Sequence, residues 1–224
     1  MPMKESLPTV IQFWDNVVDE FDSIYTGKDQ GPIAKWANNV FRKDIYQRRQ
    51  WTLDRLGDLT GKSILDVGCG PGRFCSDYVK VGHAARVVGM DTSPKMLERA
   101  KQVTAEEGTA KPCEWVLSDI LEYKSDEKFN AIVAMGFWDY IEEPDGHLRK
   151  IREHLKPGGR LLSSWPVLWS WRVPVRIVRL RWIRGCPCYF FSRKQLETMF
   201  DRTGWKIIRC EVVGKIFVVE SEPK

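Results

Sequence analysis

The run Ile64-Leu65-Asp66-Val67-Gly68-Cys69-Gly70-Pro71-Gly72 constrains this chain more than any other, because an apolar stretch breaks there into a turn with glycine at every second position. It reads as a buried strand feeding a glycine turn, and Arg73 to Lys80 can open a helix whose first amides face whatever the turn holds. A dinucleotide fingerprint wants glycine at the first, third and sixth positions, and the sixth here is Arg73. Asp66, just before the turn, would repel a diphosphate. The pattern favours a ligand with cationic groups and no phosphate, such as the ammonium and sulfonium of S-adenosylmethionine.

Further acids follow in order. Val87-Val88-Gly89-Met90-Asp91 is a short apolar run that ends in a carboxylate about twenty residues beyond the turn, where a second parallel strand delivers an acid to ribose hydroxyls. A third strand, Cys113 to Leu117, ends at Ser118-Asp119-Ile120, where the carboxylate can accept from an adenine amino group and Ile120 can pack on the ring. A fourth, Ala131 to Met135, opens into Gly136-Phe137-Trp138-Asp139-Tyr140, and Leu155-Lys156-Pro157-Gly158-Gly159 turns into a fifth.

This ordered set resembles the class I, Rossmann-like S-adenosylmethionine-dependent methyltransferases of the small-molecule branch, closely over Gly61 to Leu162 and loosely elsewhere. The resemblance implies an α/β fold: a doubly wound, seven-stranded, mostly parallel sheet of order 3-2-1-4-5-7-6 with the last strand antiparallel, N-terminal helices, and a lid insert after strand 5. It implies one domain over 1–224, with a helical cap at 1–60, a cofactor core at 61–162, the insert at 163–191 and a closing helix and hairpin at 192–224. S-adenosylmethionine is the expected cofactor. Its binding residues would be Tyr25, Asp66, Gly68, Cys69, Gly70, Gly72, Asp91, Thr92, Met96, Ser118, Asp119, Ile120, Met135 and Gly136.

At 224 residues and 43% hydrophobic composition the chain can bury one sizeable core. No basic-then-apolar leader pattern opens it and no run approaches a membrane span, so a cytoplasmic location is expected. The six cysteines form no Cys-x-x-Cys pair, and with three histidines they suggest thiols and no metal site. Helical spacing of Val10, Phe13, Trp14, Val17, Val18 and Phe21 after Ser6-Leu7-Pro8 predicts one helix, and Ile33 to Ile45 after Gly31-Pro32 a second. Near the other end, Ser192 caps a predicted helix that Gly204 ends, and Trp205–Val213 and Lys215–Glu220 must pair as a hairpin because Gly214 leaves no room for a crossover.

The stretch Ser163 to Tyr189 is far longer than an ordinary connection. The window from His154 to Leu196 holds nine of the 35 Lys and Arg and no acid, so without it the 30 carboxylates outnumber the bases. Tryptophans 165, 169, 171 and 182 interleave there with five arginines. Its place after strand 5 puts it over the ligand-binding edge of the sheet. Three readings are open: a lid in which Trp169, Arg172, Arg176 and Arg179 grip an anionic apolar acceptor, a surface for anionic membrane, and packing or an oligomer contact. On an α-helical wheel the three arginines share a face with apolar residues on either side, which is no clean membrane-surface helix. Nucleic acid is the poorer partner, since the net charge is only +5 and the basic residues are confined to one insert.

Methyl transfer from a sulfonium is an in-line displacement that needs alignment and desolvation more than a strong acid or base. A hydroxyl or amine acceptor must still lose a proton. Asp139, Tyr140 and His147 are the candidate catalytic residues, although His147 neighbours an amphipathic stripe that suggests exposed helix surface. Phe137 and Trp138 are expected to wall the pocket, and His83 and His154 to be structural at the far edge of the sheet. The function expected is methylation of O or N on a small, anionic or amphipathic molecule. The alternatives are a membrane-associated enzyme for a lipid or porphyrin-like acceptor and a non-catalytic S-adenosylmethionine-binding protein.

Overall fold

Strands that are apolar on both faces need helices on both sides, and the runs at 64–67, 87–90 and 131–135 are buried between two helical layers in a computed structural model. It describes residues 3–26, 45–169, 173–174 and 177–224, with backbone alone for 3–6, 23–26 and 179. The strands are β1 (Ser63–Val67), β2 (Arg86–Asp91), β3 (Cys113–Leu117), β4 (Phe129–Met135), β5 (Leu155–Pro166), β6 (Trp205–Val213) and β7 (Ile216–Pro223). They form one sheet of order β3-β2-β1-β4-β5-β7-β6, as expected. The first five pair in parallel, and β7 runs antiparallel to both β5 and β6.

The helices are α1 (Met3–Thr26), α2 (45–56), α3 (Arg73–Lys80), α4 (Pro94–Glu106), α5 (Pro144–Glu153) and α6 (Arg193–Arg202). α6 starts at the predicted serine, where Ser192 and Gln195 satisfy each other's end of the helix as a capping box. α1 differs from its predicted start: Pro8 lies inside the helix, which begins at Met3. The proline ring fixes φ near helical values and removes only the hydrogen bond toward the preceding turn, so one turn can precede it. The predicted second helix of the cap falls mostly on residues outside those described, which resume at Ile45.

One face of the sheet packs Trp138, Trp165, Phe200 and Trp205, and the other packs Leu56, Phe74, Tyr78 and Leu97. Two expectations change here. β5 runs on to Pro166, so Ser163, Ser164 and Trp165 are strand residues paired with β7 rather than the start of an insert. Trp138, expected to wall the ligand pocket, is wholly buried with its ring stacked on Trp165 at 4.2 Å and 14°. Two large flat rings gain more from facing each other in the core than from lining an open rim.

Candidate active site

The turn after β1 is held by its neighbour strand. The amides of Gly68 and Cys69 both donate to the Met90 carbonyl, at 2.8 and 3.0 Å, which brings the glycine loop against the end of β2. There the Asp91 carboxylate accepts the Gly70 amide at 2.8 Å on one oxygen and the Ser93 amide at 2.9 Å on the other. Burial pushes the Asp91 carboxyl above its ordinary range against the pull of those amides. Each oxygen keeps a second lone pair, so the group can accept from two further hydroxyls.

The three glycines of the turn serve different ends. A Cβ on Gly72 would stand 2.8 Å from both Ala100 and the Trp115 ring, and one on Gly68 would stand 3.1 Å from Phe137, so these two admit close packing by the protein itself. Gly70, at φ +53°, would meet only the Phe21 ring at 3.8 Å. It is the glycine with room beside it.

α1 roofs this edge. Asp22 pairs with Arg73 at 2.9 Å and Arg99 at 2.8 Å, Asp15 accepts from the Ser93 hydroxyl, and Trp14 makes edge contacts with Phe21 at 5.0 Å and Tyr140 at 5.4 Å. Asp139 and Tyr140 lie on a single 3-10 turn (Trp138–Tyr140) directly after β4, half-buried beneath that aromatic stripe. His147, expected on an exposed helix face, is buried instead, packed edge-on to Phe137 at 5.7 Å; α5 turns it toward the end of β4 rather than outward. Burial holds its pKa below the usual value. His154 is buried at the end of α5 beside the Tyr123 ring, and His83 is exposed before β2, so both lie at the opposite edge as predicted.

Sequence reasoning missed Arg48. Its Nη1 stands 3.1 Å from where a Cβ on Gly136 would be and donates to the Ser164 hydroxyl at 3.5 Å, and its guanidinium lies 5.8 Å from the centre of the Phe74 ring. Nε is buried with no hydrogen-bond partner, and among the described residues no carboxylate forms a salt bridge with Arg48. Its signal was present: Arg48 shares a helical face with Thr52 and Leu56, both buried, so a cation occupies the apolar stripe of α2. Arg49 beside it forms a two-pronged ion pair with Asp77 that fastens α2 to α3.

A family profile described as a methyltransferase domain matches residues 41–209, three quarters of the chain and the whole of the edge just described except its α1 roof. The chain is a class I S-adenosylmethionine-dependent methyltransferase. It is 36% identical over 192 residues to a demethylmenaquinone methyltransferase of Lactococcus lactis, covering 74% of each chain. It is 28% identical over 117 residues to a ubiquinone biosynthesis O-methyltransferase of Aeromonas salmonicida, covering 52% of this chain and 48% of that one. Its fold matches the crystal structure of magnesium protoporphyrin IX methyltransferase from Synechocystis with bound S-adenosylmethionine, at a TM-score of 0.76 and 18% identity over 96% of this chain and 95% of that one.

The residues of this methyltransferase suit that cofactor. The free lone pairs of Asp91 match a ribose diol, the open side of Gly70 admits close approach, and Arg48, with no salt bridge to a carboxylate among the described residues, matches a carboxylate. Of the other predicted cofactor residues, Ser118, Asp119 and Ile120 follow β3 at the same edge, with Asp119 accepting the Leu121 amide at 2.8 Å and Ile120 buried in the core. Thr92 follows Asp91, and Met135 and Gly136 close β4, where the Gly136 amide donates to Ser164 at 2.9 Å. Cys69 and Met96 are buried behind the loop. Asp66 is also enclosed, near the Cys75 thiol at 3.6 Å, and burial pushes its carboxyl to about 7. It therefore supports the turn from beneath rather than presenting a charge on the open rim. The Tyr25 side chain, Arg172, Arg176 and the Arg179 side chain lie outside the described residues.

Proposed function

We propose that this methyltransferase moves the methyl group of S-adenosylmethionine to an oxygen or nitrogen atom of a small, amphipathic molecule. The observation that carries the reading is the roof: α1 is pinned across the cofactor edge by Asp22 on Arg73 and Arg99 and by Trp14 on Tyr140, where a nucleic acid or protein chain would have to lie. The names of three relatives, a demethylmenaquinone enzyme, a ubiquinone-biosynthesis enzyme and a porphyrin enzyme, point to small acceptors, while other relatives are tRNA U34 carboxymethyltransferases, the class that the RNA fraction below tests.

When bound, the cofactor supplies an electrophilic methyl group on a positively charged sulfur. Asp91 would hold the ribose hydroxyls and Arg48 the methionine carboxylate, which together fix the reactive end against the close of β4. Phe21, Trp14 and Tyr140 would exclude water from that end, so the localised sulfonium is not stabilised by solvent against the transition state in which its charge disperses. Asp139 and Tyr140, on the 3-10 turn, are the groups placed to receive the acceptor's proton or hydrogen-bond its reacting atom. His147, behind Phe137, would position that wall rather than exchange protons with the acceptor.

The test is incubation with methyl-tritiated S-adenosylmethionine and separated small-molecule, lipid, RNA and protein fractions. Label is expected in the small-molecule or lipid fraction. Label confined to RNA or protein overturns the acceptor class, and cofactor binding without consumption overturns catalysis.

A further inference from the structure

The chain between β5 and α6 closes on itself at its base and exposes apolar side chains at its tip. At the base the Leu168 amide donates to the Phe191 carbonyl and the Phe191 amide to the Pro166 carbonyl, both at 2.9 Å, and the Tyr189 amide donates to the Asp139 carbonyl at 2.9 Å. Cys186 and Cys188 are buried there. At the tip Trp182 is 79% exposed, Ile183 72% and Val178 51%, and Trp169, next to the base, is 85% exposed. Large apolar side chains exposed together mark an interaction surface, whereas single ones are ordinary.

The helical geometry gathers three of them. Ile177–Ile183 is a π-helix, whose hydrogen bonds span five residues, so positions i, i+4 and i+5 fall on one side. Val178, Trp182 and Ile183 have that spacing and are the exposed large apolar residues of the segment. On an α-helical wheel Val178 and Trp182 share a side but Ile183 falls away from them, with apolar residues on both flanks of the arginines, so no clean amphipathic face is visible there.

We propose that this tip docks the enzyme on an anionic lipid bilayer. From Trp165 to Tyr189 the sequence has five arginines and no acid, so the segment that carries the apolar tip has charge of one sign. Anionic headgroups complement that charge, and tryptophan in an arginine-rich segment suits the headgroup level of a membrane. A second copy of this chain would bring two segments of the same sign together in a two-fold contact. No helix among the described residues is long and apolar enough to cross a membrane, so the contact is with the surface.

The tip is joined to the active site. Arg184 pairs with Glu20 of α1 at 3.1 Å and lies 5.8 Å from the centre of the Phe13 ring, while Tyr189 is bonded to Asp139. A bilayer at the tip is thus next to the roof of the acceptor site. The proposal deepens the functional reading, on which it rests for the acceptor alone, by making that acceptor an amphipathic molecule taken directly from lipid.

The experiment is flotation of the full chain with vesicles of phosphatidylcholine alone or mixed equally with phosphatidylglycerol, with cofactor titration of the same samples. The protein is expected to float with the anionic vesicles and not with the neutral ones, and to be released by high salt. Trp182→Ser with Ile183→Ser should cut vesicle binding about tenfold or more, and Trp182→Tyr with Ile183→Leu should retain it. Cofactor affinity should be equal in all three proteins, so a loss there reports on the functional reading and not on the tip. Equal binding of the serine variant, no binding of the native chain to anionic vesicles, or a change of oligomeric mass in the serine variant without vesicle binding each overturns the proposal.

Discussion

The Arg48 guanidinium occupies the space that a side chain at Gly136 would fill, with Nη1 3.1 Å from that position. Helix α2 and the end of β4 are therefore fitted to each other around a cation that has no anionic partner among the described residues. Arg48→Ala should weaken S-adenosylmethionine binding by roughly thirtyfold, on the order of 2 kcal/mol, and Arg48→Lys should recover part of it as a point charge without the planar fork. Calorimetry on both variants decides this. Equal affinity in Arg48→Ala would assign the cation to the acceptor.

Asp91→Ala removes both the acceptor for the Gly70 and Ser93 amides and the proposed ribose contact. A charged hydrogen-bond acceptor of this kind contributes about 1.5 to 3 kcal/mol, so cofactor affinity should fall by roughly ten- to more than a hundredfold. Binding of a nicotinamide dinucleotide by the native protein in the same cell would contradict the cofactor assignment.

Trp165→Ala should cost about 3 to 5 kcal/mol of folding stability, because the ring is wholly buried and stacked on Trp138. Urea unfolding followed by circular dichroism measures it. A loss below about 1 kcal/mol would mean that the core collapses onto the gap.

His147 should contribute a part of the stability that falls as the pH drops below about 6.5, the ordinary histidine value, while Asp66, whose carboxyl burial raises to about 7, contributes a part of opposite sign over the same range. Burial lowers the pKa of His147, so the unfolded chain takes up a proton before the folded one does. The contribution is intact above that pH and is lost progectively down to the lowered folded value, at no more than about 1.4 kcal/mol per pH unit for one histidine. His147→Gln should flatten this part of a melting-temperature profile between pH 7.5 and 5.5. An unchanged slope would place the titration elsewhere.

The sheet was legible because each of its central strands announces itself twice, by an apolar run and by the glycine or aspartate at its end. The hairpin was legible because Gly214 is too little chain for a crossover. Arg48 escaped because an arginine on a helix reads as solvated surface unless its register with Thr52 and Leu56 is checked. Trp138 and Trp165 escaped because each follows or ends a strand in sequence, and only the pairing of β4 with β5 brings their rings together. The apolar face of the tip was half visible, since Val178 and Trp182 share a side of an α-helical wheel, and Ile183 escaped because only the π-helical spacing brings it to them.

Trp115 reaches into the gaps left by two missing side chains at once, since a Cβ on Gly89 would stand 2.5 Å from its ring and one on Gly72 2.8 Å. Positions 89 and 115 are consequently a single unit of substitution, whereas Gly72 is held in addition by Ala100 and by its φ of +71°. A descendant that gains a side chain at Gly89 must shrink the indole in the same step, and one that shrinks the indole first relieves Gly89 while leaving Gly72 fixed. Across divergent members of the family positions 89 and 115 should change together, although they lie on two different strands.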